Sequence, residues 1–254
     1  MQIWFRKNFY SGQVKKKMFP NKTIIRVKRI NEKPGFFICE KRLIELWKAR
    51  KGEALTVMDE SLAWHRARFE DFIGDYSLLK PIEKIKSPEA KIFISLFQAV
   101  PEKERMELII EKAAELGVME IIPVITSKSS CISKRDEKQK KSHNWPKIAL
   151  KASKQCRRGS ILKICSEKKF LDCFYNCNNS LILFLNEKEN LLVLKDVDFS
   201  NIEYVHIFNG PEGGFSDIER SWFQKNKAVS VSLGPRILRT ETAAIFSCSY
   251  LSCL

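Results

Sequence analysis

The sequence predicts an α/β protein in two parts, a small β-barrel over residues 1–87 and an α/β domain with a parallel sheet over residues 88–254. Two observations carry this. Ahead of Ser87-Pro88, short alternating runs follow one another between Gly, Pro and Asn, with one helical interruption. Beyond it, continuous apolar runs alternate with helical segments, the pattern of parallel strands covered on both faces.

In the first region, residues 23–30 (TIIRVKRI), 36–39, 55–59 (LTVMD) and 64–72 (WHRARFEDF) read as strands, punctuated by Asn31, Pro34, Gly35, Gly52 and Gly74. Residues 41–50 (KRLIELWKAR) read as its helix, because Leu43, Leu46 and Trp47 fall at i, i+3, i+4 spacing. Residues 91–100 (KIFISLFQAV) open the second region as a strand. Helix 102–116 then places Met106, Ile109, Ile110, Ala113 and Ala114 on one face and stops at Gly117, where a C-cap glycine belongs. Residues 119–125 form the next strand, and 136–158 a helical stretch in which Pro146 marks a fresh start after Asn144. Further strands are read at 180–185 (SLILFL), 204–208 (YVHIF) and 228–233 (AVSVSL). Ser216 and Glu219 make a capping box for helix 217–225, and a last helix begins near Thr240.

Residues 209–244 carry most of the functional signal. The strand at 204–208 enters Gly210-Pro211-Glu212-Gly213-Gly214, and the strand at 228–233 enters Gly234-Pro235-Arg236. Glycine lets backbone bend with positive φ or approach a ligand closely. Two such turns at neighbouring strand ends imply a bound small molecule, since open α/β sheets bind ligands beyond the carboxyl ends of their strands. The chain has no GxGxxG, which argues against a Rossmann-type site, and neither turn leads into the Gly-Lys-Ser/Thr of a phosphate loop.

Composition sets the class of partner. With 44% hydrophobic and 11% aromatic residues the chain can build a core, so wholesale disorder is excluded. No run approaches the roughly 18 to 20 apolar residues of a membrane span, and the first residues lack the apolar stretch of a secretion signal. A soluble, cytoplasmic protein with no membrane partner is expected. Its eight cysteines include no CxxC pair, and no His lies near Cys173 and Cys177, so reduced thiols are expected and no metal. The net charge of +15 is uneven: residues 1–50 and 127–169 each carry +11, leaving −7 for the remainder. Basic charge concentrated in two segments is the footprint of a polyanion partner, bound through phosphate neutralisation and counterion release.

Taken together, GPEGGFSDIE (210–219), LGPRILRTETAA (233–244), EKAAELGV (111–118) with IIPV (121–124), and KIALKASKQCRR (147–158) resemble one family. It is the bacterial ribosomal RNA small subunit methyltransferase E family, of the SPOUT class of RNA methyltransferases. The resemblance covers residues 91–254 well and the first 87 more loosely. It implies transfer of a methyl group from S-adenosylmethionine (SAM) to N3 of one uridine in the decoding region of 16S rRNA. It also implies a PUA-like barrel, a catalytic domain whose C-terminal segment is threaded into a trefoil knot, a homodimer, and the small ribosomal subunit as partner. By that resemblance three loops hold the cofactor largely through backbone. Their residues here are Leu185 and Asn186; Gly210, Pro211 and Gly213; and Leu233, Gly234, Ile237, Leu238, Thr240, Thr242 and Ala243.

Uridine N3 must lose its proton as it attacks the methyl group, so the protein must align the base, stabilise charge spreading onto its carbonyls and remove the proton. Arg239 is the candidate for contact with the base or its phosphate, and Glu212 for orienting the loop or relaying the proton. Arg6, Lys28, Arg29, Lys103, Arg105, Arg157 and Arg158 are the candidate RNA contacts. The chain departs from the family at Ile3, where an Arg is usual, and at Lys154-Gln155-Cys156-Arg157-Arg158, where Glu-Gln-Cys/Ser-Gly-Arg is usual. Leu162 stands near the position of a usual Pro, and the final helix, expected at the dimer interface, stops early at Leu254. Two other readings fit the residues: a SPOUT enzyme acting on another RNA such as tRNA, and a non-catalytic RNA-binding or ribosome-assembly factor that keeps the fold. Binding of SAM separates the last from both enzymes, and mapping of the methylated nucleotide separates the enzymes.

Overall fold

The structure, a computed structural model, describes residues 22–30, 35–129, 144–174, 180–189 and 192–254. Arg6, Ile3 and the 136–143 part of the expected helix lie outside the described residues.

Among the described residues the first sheet has six strands: β1 (Ile25–Arg26), β2 (Lys28–Arg29), β3 (Phe37–Glu40), β4 (Ala54–Met58), β5 (Trp64–Ile73) and β6 (Tyr76–Ile85), in spatial order β1-β4-β5-β6-β3-β2. The two ends of that order are halves of one alternating run. Before Val27 it pairs parallel with β4, and after it antiparallel with β3, so the sheet closes on itself as a barrel. Closure removes the exposed edges that an open six-stranded sheet would carry. Ile25, Val27, Phe37, Leu55, Val57, Ala67, Phe69 and Leu79 fill it, each at an inward position of its strand. Helix α1 (Lys41–Leu46) plugs one end with Ile44. It is shorter than the 41–50 reading because Trp47 turns in to donate its Nε1–H to Thr23 O at 2.8 Å and Lys48 takes a φ of 47°. β6 escaped the sequence reading. Its Pro81 sits opposite Ala67, beside a register shift that spares the sheet a missing donor.

The second sheet is parallel throughout: β7 (Phe93–Ala99), β8 (Glu120–Ile125), β9 (Lys163–Ile164), β10 (Lys168–Lys169), β11 (Leu181–Leu185), β12 (Tyr204–Asn209) and β13 (Val229–Val231). Its order is β10-β8-β7-β12-β11-β13, with β9 also on β8. Helices α2 (Lys103–Glu115), α3 (Trp145–Gln155) and α5 (Thr240–Ser252) cover one face through Met106, Ile109, Ile110, Ala149, Ala244, Cys248 and Leu251. The five residues read as the apolar face of α2 are the buried ones. Helix α4 (Asp217–Lys225) covers the other face, where Phe97, Phe170, Phe184, Phe208, Phe215 and Phe223 pack as an aromatic layer. Phe184 and Phe223 stack at 4.3 Å between ring centroids. Both faces are therefore dry, which is why these strands read as unbroken apolar runs.

After β13, at the sheet edge, the chain turns back inward. Helix α5 packs on α2 and makes its main sheet contacts with β12 and β7, not with the edge strand that it follows. The barrel and the second sheet meet around residues 157–161. Thr56 Oγ1 donates to Arg157 O at 2.8 Å, Ile161 N donates to Thr23 Oγ1 at 2.8 Å, and Lys154 pairs with Glu53 at 2.7 Å. A Cβ on Gly159 would lie 2.1 Å from the Trp64 ring, so only glycine fits this junction.

Candidate active site

Parallel strands put the loops that follow β11, β12 and β13 at one edge of the sheet. There, residues 185–187, 209–214 and 232–243 enclose a cleft of about 410 Å³, within the usual size of a small-molecule site. Leu185, Asn186, Gly210, Pro211, Gly213, Leu233, Gly234, Ile237, Leu238, Thr240 and Ala243 line it, as do Glu212 and Arg239. Thr242 does not: it points to solvent from the first turn of α5. Larger hollows exist, one of about 690 Å³ where the barrel meets the second sheet and one of about 1270 Å³ along the barrel. Neither gathers strand-end backbone as the smaller cleft does.

A buried polar lock holds the cleft together. Asn209, at the end of β12, donates from Nδ2 to Gln98 Oε1 and to Thr240 O, both at 2.8 Å. Thr240 Oγ1 donates to Gly210 O at 3.0 Å and accepts from Gln98 Nε2 at 3.2 Å. Three side chains from β7, β12 and α5 thus fix where the glycine–proline loop starts and where the last helix begins. The sequence reading did not assign Gln98 or Asn209 a role. The available signal was an amide in the otherwise apolar run KIFISLFQAV.

Around this lock, each loop is pinned from outside. Ser216 and Glu219 form the capping box read from sequence, and Glu219 Oε1 also accepts the Ser127 amide at 2.8 Å, tying α4 to the loop after β8. Arg220 donates to Asn186 Oδ1 and to Phe215 O, each at 3.1 Å, joining the first two loops. Gly214 has a φ of +64°, and a Cβ there would meet Glu187 Oε1 at 3.1 Å. Gly234 differs: its φ is +119°, yet nothing lies within 4 Å of where its Cβ would be. Its glycine is required by backbone conformation, and it faces open space. No described residue hydrogen-bonds the backbone of residues 235–238, and Ile237 is 85% exposed. The cleft therefore offers free backbone donors and acceptors beside an apolar side chain, which suits a ligand with a hydrogen-bonding base and an apolar chain.

Charge in the cleft is distributed unequally. Glu212 is ion-paired with Arg105 of α2, whose Nε also lies 4.0 Å from Glu241 and 3.9 Å from Glu102. Arg239 is exposed and has no ion pair or side-chain hydrogen bond among the described residues. A guanidinium left open at the rim of a cleft can accept charge from whatever enters.

The remaining candidate RNA contacts separate into two groups. Lys28, Arg29 and Arg157 are exposed, with Lys28 3.9 Å from Glu60, and Lys103 lies 3.6 Å from Glu107. These pairs are solvated and readily exchanged for phosphate. Arg158 is a correction to the sequence reading. It is 3% exposed, its Nη2 pairs with Glu89 at 2.7 Å, and its Nη1 donates to Val118 O at 2.7 Å and Ala114 O at 3.2 Å. It joins the linker to the end of α2 and cannot reach a phosphate. Arg157 takes the left-handed φ of 60° that ends α3.

A model of the RNA methyltransferase domain matches residues 88–252. The ribosomal RNA small subunit methyltransferase E of Buchnera aphidicola is 33% identical over 168 residues, 66% of this chain and 66% of that protein. The namesake from Mesomycoplasma hyopneumoniae is 36% identical over 171 residues, 65% of this chain and 72% of that one. The chain belongs to the ribosomal RNA small subunit methyltransferase E family. A methyltransferase from Legionella pneumophila, solved with SAM bound, superposes with a TM-score of 0.64 at 30% identity, over 91% of this chain and 97% of that one. The likeness to that methyltransferase, over 91% of this chain, thus extends in structure into the N-terminal barrel, beyond residues 88–252 that the family model covers.

Proposed function

We propose that this protein methylates N3 of one uridine in the decoding region of 16S rRNA, using SAM, with the small ribosomal subunit as its substrate. The observation that carries the reading is the cleft itself. Glycine turns after β12 and β13 and the unpaired backbone of residues 235–238 stand next to Arg239, which has no ion pair among the described residues. The unpaired backbone along residues 235–238 would hold the adenine edge, and Leu185, Ile237 and Leu238 its faces. When bound, SAM supplies an electrophilic methyl group on a sulfonium.

The chain's own residues do the rest. Arg239 receives the target base and stabilises the negative charge that spreads onto its carbonyls as N3 passes its proton, by way of the Glu212 carboxylate, to solvent. Glu212, gripped by Arg105, orients the 210–214 loop against which the base and the cofactor are aligned. Arg6, Lys28, Arg29, Lys103 and Arg157 track the phosphates around it.

Several finer features belong to the same proposal. Residues 1–87 act as a PUA-like RNA-binding domain and 88–254 as a SPOUT catalytic domain. The inward return of the chain from edge strand β13 to α5, docked on β12 and β7, supports threading as a trefoil knot. Leu108 of α2 and Phe246 of α5 are exposed apolar residues on adjacent helices, which supports a homodimer through that face. The cytoplasm, where ribosomal subunits are assembled, is its place of action.

Calorimetry with SAM tests the reading. The wild-type protein should bind it, and Gly234→Val, forced out of its backbone conformation at a cost of about 1–3 kcal/mol, should bind roughly tenfold or more weakly with an unchanged fold. No binding by the wild type removes the proposal; equal binding by both proteins removes the role given to the third loop.

A further inference from the structure

We infer that Arg105 is a positioning residue of the cleft. By engaging both Glu212 and Glu241, it keeps Arg239 free for the substrate. The inference rests on the proposed role of Arg239.

Arg105 sits in the first turn of α2, where the helix dipole disfavours a cation, so its position calls for a compensating interaction. That interaction is long-range. Glu212 is 107 positions away on the glycine–proline loop, and Glu241 lies in the first turn of α5. The Glu241 side chain is 13% exposed, and its Oε2 finds no hydrogen-bond donor among the described residues. Among the described residues, Arg105, with its Nε 4.0 Å away, is the cation paired with it. Arg105 does not itself line the cleft, so it acts through the acids rather than on a ligand.

The arrangement solves a problem of charge. Arg239 precedes Glu241 by two residues and shares the cleft wall with Glu212. Left without Arg105, Glu212 and Glu241 would lose the cation they share, and the Glu241 side chain is largely desolvated. A desolvated carboxylate without a partner costs several kcal/mol, which is a strong drive to recruit the nearest guanidinium. Arg239 would then neutralise the protein's own acids instead of the base or its phosphate. Arg105 prevents this by occupying them first. A phosphate contact by Arg105, the role that its position in the sequence suggests, would require breaking the Glu212 pair.

The test reads Arg239 directly, without relying on catalysis. Phenylglyoxal modifies free guanidinium groups, and peptide mass spectrometry gives the rate at Arg239 in the wild type, Arg105→Ala, Arg105→Lys and Arg105→Ala/Glu212→Gln/Glu241→Gln. Arg239 should react fast in the wild type, on the order of tenfold more slowly in Arg105→Ala, and fast again in the triple variant, whose acids are neutral. Arg105→Lys should keep most of the wild-type rate. Equal rates in all four proteins overturn the inference, as does a triple variant no faster than Arg105→Ala. In parallel, Arg105→Ala should lower kcat on rRNA while leaving the salt slope of RNA binding unchanged. A slope reduced by about one with kcat intact would make Arg105 a phosphate contact instead. An inactive wild type with the expected labelling pattern would fault the proposed activity and not the charge arrangement.

Discussion

Replacing Asn209 by Ala probes the lock on which the cleft depends. Its Nδ2 makes two hydrogen bonds of 2.8 Å, to Gln98 Oε1 and Thr240 O, in a buried site. Removing it orphans Gln98 Oε1, since no other described donor reaches that atom, whereas Thr240 O stays within α5. Two lost bonds at about 1 kcal/mol each, with an orphaned buried acceptor at about 1–3 kcal/mol, give a cost on the order of 3–5 kcal/mol. Asn209→Asp keeps the volume but faces an acceptor toward two acceptors, and should cost at least as much. The loss should concentrate at the start of α5, because Thr240 is the residue released. Urea unfolding gives the total, and amide hydrogen exchange across residues 240–252 locates it. A cost below about 0.5 kcal/mol, or exchange that rises uniformly over the chain, would refute the idea that this amide fastens the last helix.

Arg158→Met should destabilise by about 3–5 kcal/mol in urea unfolding, because Glu89 is left buried without its cation, and adding Glu89→Gln should recover much of the loss. A phosphate-binding Arg158 would instead lose RNA affinity at unchanged stability. Arg157→Gly should raise stability by about 1 kcal/mol, since glycine adopts the left-handed φ of 60° without a Cβ penalty. The same change should weaken rRNA binding and lower its salt slope by about one. No gain in the urea midpoint would contradict the backbone argument. Asp59 should make stability fall in acid: burial raises its pKa, but hydrogen bonds from Ser61, His65 and the amides of Ala63 and Ser61 outweigh that and hold it at about 2. Its folded value lies below the unfolded one of about 3.9, so its contribution is complete above that pH and lost as pH falls toward 2. Asp59→Asn should flatten that part of the stability–pH curve, and an unaltered curve would show that these bonds contribute nothing.

What the sequence displayed and what it concealed divide along a physical line. Local order was legible. The apolar face of α2, the capping box at Ser216 and Glu219, the fresh start of α3 at Pro146 and the strands on either side of the glycine–proline turns follow from spacing or nearest-neighbour chemistry. Features decided by distant partners were not. The run at 25–29 looks like one strand, yet its pairing changes at Val27, a choice made by β4 and β3. β6 carries Pro81, Lys80, Glu83 and Lys84, so its sequence resembles a loop until β5 supplies a tolerant register. Arg158 stands in a run of basic residues that reads as a solvated surface, but Glu89, 69 positions earlier, draws it inside. The cleft residues were legible through their motifs, while their wiring was not. The Asn209–Gln98–Thr240 lock and the hold of Arg105 on Glu212 and Glu241 join segments more than 30 residues apart.

Mapping of the methyl group tests the central claim most directly. Small subunits from a strain lacking this gene would be incubated with the purified protein and isotopically labelled SAM, and the 16S rRNA digested for mass spectrometry. The account predicts one labelled methyl group, on N3 of a single uridine in the decoding region, and none with Arg239→Ala at matched RNA occupancy. Label confined to ribose oxygens or to another base, or its complete absence from 16S rRNA, would contradict it.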